Sequence, residues 1–250
     1  MSFLQMSLRK YYMNSDRVIF EIKPDTKGYF VSRKNRFAVN VKIPGDNEPA
    51  YVHLHDPGRL KELLFVKNKI LLKKANNSER KTKWDIIAAR CKEEWILINS
   101  SYHRYISENL LNSNRLSPIK NITKIEPEKK YKDSRLDYLL TVKNGEKVWV
   151  EVKGCTLLNN SFALFPDAPT VRGSKHLEHL TEIRKNAVRS ALMILVLVNA
   201  KEFKPNIKTD KRFTDMFKLA NDAGVEIYPV KFSYDGQYVK YEGLIPFSID

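Results

Sequence analysis

Asp137, Glu151 and Lys153 are the residues of this 250-residue chain best suited to chemistry on a phosphate. Carboxylate oxygens are the ligands of hard, strongly hydrated cations such as Mg2+ (or Mn2+), and a neighbouring ammonium orients water or balances phosphate charge. The three lie in the run RLDYLLTVKNGEKVWVEVKG, Arg135 to Gly154. Two apolar, β-rich segments, Leu136 to Val142 and Val148 to Val152, flank Asn144-Gly145 there, which is a hairpin signal. Antiparallel pairing across that turn makes opposite residue numbers sum to about 289, so Asp137 falls beside the Glu151 to Lys153 region. Glu151 and Lys153 are two apart and share one face of the strand. Charged groups that interrupt apolar strands need a partner or a metal. The plainer readings are a solvated strand face and a structural ion pair.

An acidic residue on one strand followed by Glu-x-Lys on the next resembles the PD-(D/E)XK nuclease pattern, with Arg135-Leu136-Asp137 standing where the pattern has Pro-Asp. Longer strings are far more specific. Val150 to Thr156 (VEVKGCT), Ala163 to Thr170 (ALFPDAPT), Arg172-Gly173 and Lys175-His176-Leu177 closely resemble the sugar fermentation stimulation protein family, SfsA. His55-Asp56-Pro57-Gly58-Arg59-Leu60 matches as well, with Asp56 where the family usually has Asn. The resemblance covers the chain from about Asp16 to Pro246. It implies an OB-fold-like, nucleic-acid-binding all-β domain (1–83) followed by a PD-(D/E)XK nuclease-like α/β domain (84–250). It also implies a nuclease in which Asp137, Glu151 and Lys153 are catalytic. Glu108, on the helix before the hairpin, joins Asp137 and Glu151 at the metal, although the family's usual Pro-Asn there is replaced by His103-Arg104. The second function is a non-catalytic DNA-binding regulator of sugar metabolism genes on the same scaffold.

Charge points the same way. The formal net charge is +15 and the first 85 residues hold 18 Lys and Arg against 9 Asp and Glu, so polyanions are attracted most strongly to that part. Nucleic acid is the expected partner, DNA favoured over RNA; a merely soluble basic surface is the alternative. The contacts expected are Arg36, Arg59, Arg80, Lys81, Arg172 and Lys175. The longest apolar run, Ala191 to Val198, is too short to span a bilayer, which takes roughly 20 residues. The amino terminus does not read as a secretory leader, so a cytoplasmic location is expected. Cys91 and Cys155 stand far apart without a zinc spacing.

The elements that must position these residues follow from periodicity. Short strand candidates at Arg17 to Ile22, Tyr29 to Val31, Phe37 to Ile43, Ala50 to His53 and Lys69 to Lys74 suggest a barrel. Its aromatics Tyr29, Phe30, Phe37 and Tyr51 serve either as core or as a stacking surface for bases. A polar loop, Asn76 to Lys83, marks the expected domain boundary before strands Trp84 to Cys91 and Trp95 to Ile98. Helices are expected over Ser101 to Asn112, Ser174 to Asn186 with Ser174 as its cap, and Lys211 to Ala223. The continuous apolar strand Ala191 to Val198 belongs in a buried parallel sheet, giving βαβ units.

Overall fold

The computed structural model describes residues 17–77 and 79–249; residues 1–16, on which the expectation of no secretory leader rests, lie outside the described residues. The first strand, β1 (Val18–Glu21), is followed by β2 (Thr26–Asn35), β3 (Ala38–Lys42), β4 (Ala50–His53), β5 (Lys69–Lys74) and β6 (Trp84–Cys91). Strands β2 to β6 form a five-stranded barrel, as expected. The long β2 serves both β3 and β5, and register shifts at Phe30/Ser32 and Arg33/Asn35 let it bend. Gly28 permits the close crossing, since a Cβ there would stand 2.5 Å from Val41 Cγ1. Val39, Val41, Val52, Leu54, Ile70, Leu72 and Ile86 fill the interior.

Two details differ from the sequence reading. β6, set at the head of the second unit, pairs antiparallel with β5 and parallel with β4, so it is the strand that closes the barrel. β1 does not join the barrel. It pairs with the last strand of the chain, Tyr238–Leu244, and its Ile19 and Phe20 pack against the core of the second unit.

β7 (Glu94–Leu97) leads through a 3-10 turn, Ser100–Tyr102, into α1 (His103–Asn112) and then β8 (Ile122–Tyr131), β9 (Ser134–Val142) and β10 (Lys147–Cys155). The short β11 (Leu157–Asn159) and β12 (Phe162–Phe165) precede α2 (Val171–Lys185), β13 (Arg189–Val196), β14 (Glu202–Pro205), α3 (Lys211–Asp222), β15 (Glu226–Tyr234) and β16 (Tyr238–Leu244). β10 runs parallel to β13, and β13 to β15, so α2 and α3 are the crossovers of two βαβ units.

The pattern of β13 shows why the sheet lies where it does. Leu192, Ile194 and Val196 pack with Leu177, Leu180 and Ile183 of α2 and Phe213 and Phe217 of α3. Ala191, Met193 and Leu195 point the other way, into the cluster with Ile106, Leu110 and Leu111 of α1. A strand covered on both faces reads as an unbroken apolar run.

Helix α2 starts three residues before the expected Ser174. Thr170, after Pro169, takes the cap instead: its Oγ1 accepts from Gly173 N at 3.0 Å, and Ser174 is buried inside the first turn. Among the described residues no helix is long and apolar enough to cross a membrane.

Candidate active site

The β9–β10 hairpin turns at Gly145, whose φ of +84° suits glycine. Tyr138 pairs with Val150, one residue from the expected register. Along β9, Leu136, Tyr138, Leu140 and Val142 are buried, and Asp137 alternates with them. The β9–β10 ladder runs as far as Tyr138 and Val150; beyond it, Asp137 Oδ2 accepts a hydrogen bond from Val152 N at 2.7 Å. A side chain thus replaces a backbone partner where the strands part, which holds the Asp137 carboxylate against β10.

Glu151 is only 2% exposed. Its Oε1 is ion-paired with Lys153 Nζ and accepts from His176 Nδ1 of α2, while Oε2 is buried with no partner among the described residues. Burial pushes the Glu151 carboxyl up, but Lys153 and His176 outweigh it and hold the group below the usual range. Asp137 fares oppositely. Burial, reinforced by the negative charge of Glu151, raises its carboxyl to about 7 against the partial relief of Lys153 and the Val152 amide. Two carboxylates thus share one ammonium, and the pair is short of positive charge.

That shortage, with the orphaned Glu151 Oε2, fits a hard divalent cation. No group of three or more His, Cys, Asp or Glu able to hold a metal occurs among the described residues. Asp137 and Glu151 are the two carboxylates that would supply protein oxygens to such an ion, as at Mg2+ sites that keep several waters and use one or two carboxylates with substrate phosphate.

Asp137 and Lys153 line a cavity of about 490 Å³, with His103, Arg104 and Ser107 of α1 opposite and Arg172 and Gly173 at the start of α2. Tyr138 pins α1 to the hairpin through Ser107 Oγ at 2.8 Å. Arg172 Nε donates to His176 Nε2 at 3.4 Å, so an Arg172–His176–Glu151–Lys153 chain links the helix to the strand.

The remaining expected residues are placed unevenly. Glu108 is ion-paired with Arg104 at 2.8 Å and lines a neighbouring cavity, not the one that Asp137 lines; the other acidic residue lining the Asp137 cavity is Glu128 of β8. Glu108 lies one turn beyond Arg104 on the same side of α1, and its carboxylate is turned to that arginine. Arg36 and Arg59 are exposed along an adjoining cleft, and Lys81 is exposed on its loop. Arg80 is not free, since Asp85 holds it at 2.7 Å, and Lys175 is paired with Asp133.

Two residues at the site were missed as actors. His176 appears in the sequence only within the Lys175-His176-Leu177 string; its place beside Leu177 and Leu180 on the buried side of α2 was the available signal. His103 stands in the sequence as a departure from the family's usual Pro-Asn. Its Nε2 is buried with no partner among the described residues, and it fits because residue 154 is glycine: a Cβ there would come within 2.1 Å of His103 Cε1. Burial, with the Lys153 charge, lowers its imidazole to about 4, so it is neutral at neutral pH.

Residues 31–98 match the SfsA N-terminal OB domain and residues 101–238 the sugar fermentation stimulation protein RE domain. A sugar fermentation stimulation protein homolog of Methanococcoides burtonii is 42% identical over 92% of this chain and 94% of its own length. The homolog of Methanosphaera stadtmanae is 46% identical over 83% of this chain and 87% of its own. The solved structure of Pyrococcus furiosus SfsA in complex with Ca2+ shares the fold, with a TM-score of 0.86 over 93% of this chain and 99% of that one at 24% identity. Both domains in order, and relatives alike along nearly the full length, establish that the chain belongs to the sugar fermentation stimulation protein family.

Proposed function

We propose that this protein is a metal-dependent nuclease that hydrolyses phosphodiester bonds in nucleic acid, DNA favoured over RNA, in the cytoplasm. The observation that carries the reading is the charge-deficient pair Asp137 and Glu151, one oxygen unpartnered, beside a cavity lined by Lys153, Arg104 and Arg172. The Ca2+ complex of the Pyrococcus furiosus relative supports a divalent cation here. Mg2+ or Mn2+ would be held by Asp137 and Glu151. A bound divalent cation supplies Lewis-acid polarisation of the phosphate and lowers the pKa of water.

The chain's own residues do the rest. Lys153, steadied by Glu151, orients the attacking water and balances charge on the phosphoryl oxygens as it develops. Arg104 and Arg172 hold the phosphate from the two helices, Arg172 at the positive end of α2. His176 fixes the orientation of Glu151, as outer hydrogen bonds do for metal-binding carboxylates. Glu108, tied to Arg104, steadies that arginine in this reading. The pairing of β6 supports extending the nucleic-acid-binding barrel past residue 83, to the end of β7.

The test is incubation of the protein with labelled single- and double-stranded DNA and RNA in Mg2+, Mn2+ or chelator. Metal-dependent products lost in Asp137→Ala and Glu151→Ala are expected. Binding with no product on any substrate would transfer the reading to a DNA-binding regulator.

A further inference from the structure

Phe30, Phe37 and Tyr51 are chemically alike in the sequence, and the barrel treats them differently. Phe30 is core, 5% exposed, whereas Phe37 and Tyr51 are 51% and 41% exposed. Phe37 ends the β2–β3 turn, held by its N–H donating to Asn35 Oδ1 at 2.8 Å, and Tyr51 lies on β4, which pairs with β3. Both line one open depression of about 450 Å³, together with Arg36, His53 and Thr82 of the β5–β6 loop. The rings therefore share a concavity on the face and loops with which OB barrels take oligomeric ligands.

We propose that Phe37 and Tyr51 form a base-stacking platform that takes single-stranded nucleic acid and leads it to the candidate active site. Three observations carry this. Arg36, which makes no ion pair among the described residues, lines both the depression and a cleft of about 610 Å³ between the barrel and the second unit. That cleft shares Pro57, Gly154 and Thr170 with the cavity of Asp137 and Lys153, so the path is continuous from the platform to the carboxylates. The surface is also cationic, with Lys34, Arg36 and Lys81 exposed in the part of the chain densest in positive charge, which selects a polyanion over a neutral polymer.

Two carboxylates in the cleft do not undo this. Asp56 Oδ1 accepts from Gly58 N and Asp167 Oδ2 from Arg59 N, each at 2.8 Å, so they brace the turn that presents the Arg59 side chain. The strand is single because stacking on a protein ring needs an unpaired base with a free face; bases inside a duplex are already stacked. The destination of the strand rests on the nuclease reading, but the platform does not.

The test is fluorescence anisotropy with a labelled oligothymidylate and a blunt duplex of equal length, in chelator, where no metal-dependent cleavage interferes. Phe37→Ala and Tyr51→Ala should each weaken single-strand binding on the order of tenfold and the pair more, with duplex binding changed less than about twofold. Phe37→Tyr and Tyr51→Phe, which keep a ring, should bind like the parent. An unchanged double variant, equal losses on both ligands, equal losses in the ring-keeping variants, or a parent that does not bind single strands would each overturn the platform. An inactive Asp137 site would leave these readings unaffected, which separates the two proposals. Because both rings are exposed, an unchanged thermal midpoint in the variants is the check on folding.

Discussion

Two ion networks lie at opposite ends of the same parallel strands. At the amino-terminal end, Arg189 of β13 forks onto Glu226 of β15 through Nε at 2.7 Å and Nη2 at 3.0 Å. Its Nη1 also reaches Glu146 at 3.3 Å, and Tyr228 donates to Glu226 at 2.7 Å. Burial pushes Glu226 up, but those bonds outweigh it and the carboxyl stays below its usual range. Towards the carboxyl end of β10, Glu151 and Asp137 share Lys153, one Glu151 oxygen has no partner among the described residues, and Asp137 is pushed up to about 7. The first network satisfies its charges and holds strands together. The second leaves a deficit that a cation and a phosphate would fill, at the strand end where open α/β sheets usually carry their sites.

The largest expected effect separates the two networks outright. Glu151→Gln should reduce metal-dependent cleavage on the order of a thousandfold, comparable with removing a key transition-state contact, and should show none of the rise in melting temperature expected of the parent in Mg2+. Glu226→Gln should instead lower unfolding stability by about 1.5–3 kcal/mol, since a charged hydrogen-bond partner is lost, while cleavage per folded molecule stays at the parent level. Urea titrations and cleavage assays on both variants decide it. Equal loss of cleavage in the two would break the comparison.

His176→Ala probes the brace on Glu151. Metal affinity, followed by calorimetric titration, should fall about 10–100-fold with the fold retained, and a parent-like affinity would remove His176 from the site.

Asp137→Asn tests the deficit itself without metal. The folded-state value of about 7 lies above the ordinary 3.8, so the protonated carboxyl is favoured in the folded protein. The stability this contributes is complete below the ordinary value and is lost as pH rises through about 7. Asparagine keeps an oxygen for the Val152 amide and removes the charge. Chelated Asp137→Asn should therefore be more stable than the parent near pH 8, by on the order of a few kcal/mol at most, and equal to it near pH 3.5. A variant less stable near pH 8 would mean the pair is already balanced.

The smallest effect belongs to Asp56, an intermediate case. Burial, opposed by the Gly58 amide and reinforced by Asp167, lifts it to about 6. Asp56→Asn should show the same sign of gain over a narrower window, from about pH 4 to pH 6, and by less than Asp137→Asn. A larger gain than at Asp137 would reverse the ranking.

What the sequence determined was local. Asn144-Gly145 between two alternating segments dictated the hairpin to within one residue of its register, because a tight turn and a period of two leave little freedom. The same pattern set Glu151 and Lys153 on one face, the unbroken apolar run of β13 announced a doubly covered strand, and the Ala163 to Thr170 string carried the family. Tertiary structure decided whatever depends on elements distant along the chain. It brought His176 onto Glu151 and His103 against Gly154, closed the barrel with β6, and paired β1 with β16. It turned Phe30 inward and Phe37 and Tyr51 outward, a choice that hydrophobicity alone does not make. It also assigned Arg80, Lys175 and Glu108 to intramolecular partners, Asp85, Asp133 and Arg104. A charge in a sequence is a candidate for any ligand, and only the neighbours that folding brings within a few ångströms settle which charges remain available.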